Sequence, residues 1–283
     1  MFFFLPLINA PVTASEKIKV AVSTGLALRY DDLLTKQKIN VNNLSDAGIK
    51  GATRGFIQLI IIKQALYKGG LDVDFEFIEA PNEQRSNVLI SEGKTVISHH
   101  LLPQTSQPSN TFKSTVIMES RTLKKGIYGL STNKTLMNVK SIEDLKPLKG
   151  VLMSSWPTDI KTLENAGITQ LALVPKYQNI FTRIAHRGTD YTLLEHPYFH
   201  GKSYKNILIQ HMKNIKLFPV PNIVIAMEDS RHFYVSKKHT DGKRIFTALE
   251  KGLKIMKDEG TIKKYFQQIN VIRKDLDDYK VLN

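Results

Sequence analysis

The sequence has no cysteine, so a disulfide, a thiolate nucleophile and a cysteine-ligated metal site are all excluded. It has a single tryptophan, and past the N-terminus it has no apolar run near the roughly 18 continuous residues that a membrane-spanning helix needs. Acidic residues are scarce beside basic ones, 26 against 40, which leaves a formal charge of +14. An excess of that size raises nucleic acid or an anionic membrane as partners. The basic residues, however, are scattered in pairs such as Lys124-Lys125, Lys237-Lys238 and Lys263-Lys264. No zinc-finger spacing, RNP1-like string or basic region leading into heptads accompanies them. A solvated basic surface is expected, with no nucleic-acid partner. Also missing are a Gly-x-Ser-x-Gly elbow, a His-Glu-x-x-His pair and a phosphate-cradling glycine loop. An enzyme would need a Ser/His/Asp cluster assembled only by folding, so catalysis is not expected.

What is present suits a packed protein. Hydrophobic residues make up 42% of the 283 and charged residues 23%, enough for cores in two lobes of ordinary size. At the N-terminus Phe2, Phe3, Phe4, Leu5, Leu7 and Ile8 form a short apolar run, and Val12-Thr13-Ala14 offers small residues for signal-peptidase cleavage. Residues 1–15 are therefore read as a signal peptide and its remnant, with cleavage after Ala14 and export to the periplasm. An apolar N-terminal strand is the alternative, because no Lys or Arg precedes the run.

The periodicity alternates between strand and helix. Lys17–Ser23 alternates Ile18, Val20 and Val22, and Thr53–Lys68 is broadly apolar and stopped by Gly69-Gly70. Leu71–Ile78 alternates again, giving a βαβ unit. A short helix over Glu83–Glu92 and strands over Thr95–Ser98, Thr115–Met118 and Gly126–Ser131 follow. From Ser141 the order repeats: a capped helix start, a strand over Val151–Met153, a helix over Asp159–Ala166, a strand over Leu171–Val174 and an amphipathic helix from Tyr177 to Ala185. Strands over Asn222–Ala226 and His232–Val235 lead to two last helices separated by Gly260. Those helices have no strand partner nearby, so the chain is expected to cross back to the first lobe.

Four stretches in this order resemble the extracellular solute-binding proteins of family 3, the type II binding proteins of ABC transporters. They are GATRGFIQLIIIKQALYKGGLDVDFEFIEA, SIEDLKPLKGVLMSSW, LVPKYQNIFTRIAHRGTDYTLLEHP and LEKGLKIMKDEGTIKKYFQQI. The resemblance implies an α/β, two-lobed type II periplasmic-binding-protein-like fold, each lobe a mostly parallel sheet flanked by helices. Residues 16–120 and 232–283 would form lobe 1 and residues 121–231 lobe 2, with crossovers near Met118–Thr122 and Asp229–Tyr234. It further implies a monomer without cofactor that captures a small polar ligand, amino-acid-like or another charged metabolite, for a membrane permease. A sensor partner in a signalling system is the alternative, and an enzyme on the same fold a more remote one.

Members that bind amino acids place an Arg in the loop before the first crossover, where its planar fork clamps a carboxylate. That region here reads HHLLPQTSQPSNTFKS, which leaves Arg121 or Lys113 as substitutes. Glu195 stands five residues after Asp190, as the family's acid for a ligand ammonium does. From the residues themselves, Ser154, Ser155 and Trp156 precede Pro157 at a helix start whose N–H groups suit an anion; helix capping by Ser155 is the alternative. Ser23, Thr24 and Tyr30 follow the first strand, and His99 and His100 follow the Thr95–Ser98 strand, at sheet edges where ligands bind. Turn chemistry and satisfied edge histidines are the plainer readings of those five. Glu195, His196 and His200 have ligand types that suit zinc, but such groups meet easily near a loop and no metal is expected.

Overall fold

The computed structural model describes residues 16–37, 40–43, 52–195, 198–199, 202–203, 209–210 and 215–283. The signal-peptide reading over residues 1–15 lies outside them, as do His196, Pro197 and His200.

Two sheets with helices on their faces make a two-lobed α/β structure. In the first, alternation buries Ile18, Val20 and Val22 on strand β1 (Glu16–Ser23). Helix α1 (Leu26–Gln37) follows, then α2 (Arg54–Lys68), whose start is fixed by the Thr53 hydroxyl accepting from Phe56 N. Ten of the fifteen residues of α2 are buried, which explains its nearly unbroken apolar run. Its buried Gln64 is satisfied, donating to Val41 O at 2.6 Å and accepting from Tyr265 OH at 3.0 Å. Strand β2 (Val73–Ala80) pairs in parallel with all eight residues of β1. After α3 (Glu83–Ser91), β3 (Ile97–Ser98) takes the other edge of β1; β4 (Leu102–Pro103) and β5 (Thr111–Lys113) follow.

The strand expected over Thr115–Met118 is not in the sheet. Ile117 N donates to Arg231 O, and Met118 and Arg231 form an isolated antiparallel bridge. This segment links the two sheets, and its backbone partner is the returning chain.

The second lobe runs through β6 (Lys124–Gly129), short helices α4 (Lys134–Met137) and α5 (Ile142–Leu145), β7 (Gly150–Met153), α6 (Pro157–Asn165), β8 (Leu171–Val174), α7 (Tyr177–Ala185) and β9 (Tyr191–Leu194). The SIEDL reading is realised as a capping box between Ser141 and Asp144. Then come β10 (Tyr198–Phe199), β11 (Lys202–Ser203), β12 (Ile209–Gln210), β13 (Lys216–Pro219) and β14 (Ile223–Ala226). The sheet order is β12-β13-β6-β9-β7-β8, with β14 also on β6. Pairing is parallel where βαβ crossovers build it, at β7–β8 and β7–β9, and antiparallel around β6, which enters from the linking segment.

The chain then returns. Strand β15 (Arg231–His232) pairs with β4, and β16 (Tyr234–Ser236) inserts antiparallel between β3 and β5, completing the order β2-β1-β3-β16-β5. Helices α8 (Gly242–Asp258) and α9 (Thr261–Gln268) pack on α2. The α2–α8 approach is so close that a Cβ on Gly252 would sit 1.7 Å from Ala65 O and one on Gly69 2.0 Å from Ala248 O. Past α9 the chain crosses once more: β17 (Lys280–Val281) pairs in parallel with β14, so the end of the 232–283 stretch lies on the second sheet. Among the described residues no helix is long and apolar enough to cross a membrane.

Candidate ligand-binding cleft

Between the lobes lies a cavity of about 330 Å³. The first lobe contributes Arg54, Glu83, Pro103 and Ser106. The second contributes Lys125, Ser155, Trp156, Asp159, Tyr177 and Glu195, and the segments that link the sheets contribute Leu123 and Arg231. Each side chain gets there by a local device. Arg54 is the first residue of α2, placed by the Thr53 cap. Glu83 opens α3, Asp159 lies in the first turn of α6 behind Pro157, and Glu195 follows β9. The α6 N-terminus has no side-chain cap: Trp156 holds the N-cap position, so capping by Ser155, the alternative reading of that turn, does not occur. Free N–H groups at the start of a helix attract negative charge.

Charge dominates the cavity, with three cations and three carboxylates among its lining residues. Arg54 Nη2 donates to both oxygens of Glu195 at 2.7 Å, joining residues 141 positions apart and tying one lobe to the other. Burial pushes the Glu195 carboxyl up, but Arg54, helped by Lys125 and Arg231, outweighs it and holds the pKa below the usual carboxylate value. Lys125 is paired with Asp159, with side chains 12% and 6% exposed, and its Nζ lies 4.9 Å from the Trp156 ring centroid. Trp156 in turn faces Tyr177 at 6.1 Å. One wall is thus aromatic and capped by an ammonium, and the opposite side is ionic.

Of the residues singled out from sequence, Ser155, Trp156 and Glu195 line this cavity. Ser154 does not; its hydroxyl is turned to Val174 O at 3.4 Å. Thr24 is exposed in the turn after β1. Tyr30 is a core residue, packed against Phe56, Phe75 and Phe77, and burial pushes its hydroxyl pKa up. Arg121 sits at the first crossover at φ +68°, bonded to Glu228 and to Asn283 O, so it buttresses the C-terminal segment. Lys113 lies on β5.

The rings of His99 and His100 lie 3.9 Å apart, tilted by 45°, and His99 sits beneath the start of α2. His99 faces Ala21 O through Nδ1 and the Ser23 hydroxyl through Nε2, at 3.3 and 3.4 Å. Burial lowers the pKa of His99 to about 4 and that of His100 to about 3. A ring with so depressed a pKa is a poor base at neutral pH, and among the described residues no carboxylate supports it as in a hydrolase triad.

Residues that sequence reasoning missed are Arg54, Glu83, Lys125, Asp159, Tyr177 and Arg231. Two carried a readable signal: Asp159 in the first turn after Pro157, and Arg231 within the expected second crossover.

A larger cavity, about 590 Å³, lies between the first crossover and the C-terminal segment. Several of its cations are already paired, Lys124 with Asp277, Lys257 with Glu119 and Arg121 with Glu228, so it offers a ligand less.

No family model matches the sequence, and no curated protein matches it. Solved structures do. The probable amino-acid ABC transporter extracellular-binding protein ytmK from Bacillus subtilis superposes with a TM-score of 0.55 and 16% identity, over 90% of this chain and 98% of that one. The amino acid ABC transporter substrate-binding protein AbpA from Streptococcus pneumoniae, bound to L-arginine, gives 0.53 and 16% over 91% and 97%. The ancestral amino acid-binding protein AncCDT-1, a precursor of cyclohexadienyl dehydratase, gives 0.50 and 16% over 89% and 94%. The two-lobed architecture is therefore that of solute-binding proteins, and at this identity the likeness speaks to fold alone.

Proposed function

We propose that this protein is an exported solute-binding protein, a divergent member of family 3, whose lobes close on a small charged solute for delivery to an ABC permease. The observation that carries the reading is the interlobe cavity, in which charged and aromatic side chains from both lobes converge with one from the hinge. A cleft walled by two bodies that share a hinge converts ligand contacts into a shift between open and closed populations. The neighbours of this fold that bind amino acids support a solute of that size and polarity, and the poor basicity of His99 supports binding without chemistry. The periplasm is the proposed location, and a single copy the proposed form.

The test is a thermal-shift screen of the purified protein against amino acids, organic acids, polyamines and sugars, followed by small-angle scattering with any hit. A ligand at 100 times its Kd adds about 2.7 kcal/mol to stability and is expected to reduce the radius of gyration. Hits that leave the lobe angle unchanged, or turnover of a hit to product, would overturn the reading.

A further inference from the structure

The six charged groups lining the cleft do not pair completely. Arg54 is taken by Glu195 and Lys125 by Asp159, which leaves Arg231 and Glu83. Glu83 stands at the start of α3, where burial pushes its carboxyl pKa up against the pull of Arg231, but it makes no ion-pair contact with that guanidinium. Arg231 is more enclosed. Its guanidinium has one long hydrogen bond, from Nη1 to Leu101 O at 3.4 Å, and no carboxylate among the described residues lies within ion-pair distance. Burial first, and then the positive charge of Arg54, oppose its protonation, against the pull of Asp159, Glu195 and Glu83. An enclosed guanidinium with no carboxylate in contact among the described residues is held by distant charges alone, so its place at the cleft suits a partner from outside the chain. The uncapped N-terminus of α6, on the opposite lobe, adds partial positive charge to the same space.

Resting on the reading of this cleft as a solute site, we propose that Arg231 anchors a carboxylate of the solute and that the solute class is small carboxylic acids. The anchor would come from the second crossover and not from the loop before the first, where the sequence has no Arg. Arg231 is also a backbone partner of the hinge: its N–H donates to Met118 O, and its carbonyl accepts from Ile117 N and Met118 N. An anion held by this fork would therefore be held at the pivot. Glu195, engaged by Arg54, is left as a bridge between the lobes.

The test uses the full chain and calorimetry with small carboxylates (amino, hydroxy and dicarboxylic acids), their matched primary amides, and polyamines. The expected result is that acids bind and their amides do not. Arg231→Gln should weaken the best acid roughly 10- to 150-fold, the range of one charge-assisted hydrogen bond, and Arg231→Lys should recover part of the loss. The melting temperature of the unliganded protein should be unchanged or raised in Arg231→Gln, because the substitution removes an uncompensated charge; a merely structural arginine would lower it. Closure on a polyamine or a neutral solute would overturn the proposal while leaving the solute-binding reading intact, as would an unchanged Kd for acids in Arg231→Gln. Absence of binding by every solute class would sink both.

Discussion

The Lys125–Asp159 pair offers the sharpest perturbation of the cleft wall. Its side chains are 12% and 6% exposed, so neither charge is well solvated. Asp159→Asn keeps the shape and strands the ammonium, and breaking one side of a buried pair costs about 3–5 kcal/mol. The contact of Lys125 with the Trp156 face is present before and after the substitution, so it cancels and the full loss of about 3–5 kcal/mol is expected. Replacing both partners, as in Lys125→Met with Asp159→Leu, should cost far less, because no charge is then left buried. The assay is urea unfolding followed by tryptophan fluorescence. Trp156 is the only tryptophan and stands against Lys125, so the signal reports this lobe. A loss under about 0.5 kcal/mol in Asp159→Asn, or a double variant as unstable as the single, would refute the argument that burial makes this pair matter.

Three further outcomes are expected. The buried histidines have folded pKa values near 4 and 3, below the unfolded value of about 6.5. The unfolded chain therefore takes up protons first, and stability should be full above about pH 6.5 and fall steadily toward pH 4 and below, by about 1.4 kcal/mol per pH unit per histidine; His99→Gln with His100→Asn should flatten that slope in urea titrations at stepped pH. Gly252→Ala forces a methyl against Ala65 O, so α8 must lift from α2; a loss of about 3 kcal/mol or more is expected in chemical denaturation, with wild-type stability refuting the close approach. Separating Arg54 from Glu195 by Glu195→Gln removes a half-exposed pair worth about 0.2–1 kcal/mol, which should shift the unliganded open-to-closed ratio by no more than about fivefold, in a salt-dependent way, as read by scattering or by distance labels on the two lobes.

The parts of the fold legible in the sequence are those set by local pattern. Thr53 and the apolar run after it place α2 to within a residue, and Gly260 at φ +71° marks the break between α8 and α9. Helix α1 has little local signature, because LALRYDDLLTKQ carries an Asp pair mid-helix. The shift of the expected 115–118 strand to Thr111–Lys113 has a tertiary cause, since only the return of the chain at Arg231 and Phe233 decides which backbone groups the hinge pairs with. The cleft divides in the same way. Trp156 and Glu195 were visible through turn chemistry and resemblance, whereas Arg54 and Arg231 gain their meaning from carboxylates present or missing across the cleft, and no local window shows those.

The return of the last residues to the second sheet bears on how the lobes can move. Two crossings near one line, at Met118 and at Arg231, act as a door hinge that also permits torsion about its own axis. A third tie runs from α9 to β17 beside β14, and its end is fastened to the first crossover by Arg121, which donates to Asn283 O. A third connection between the same two plates restrains the torsion that two leave them. Swinging is retained only as far as the tether between Gln268 and Lys280 can pay out, which makes the reach of its eleven residues a stop on how wide the door can open.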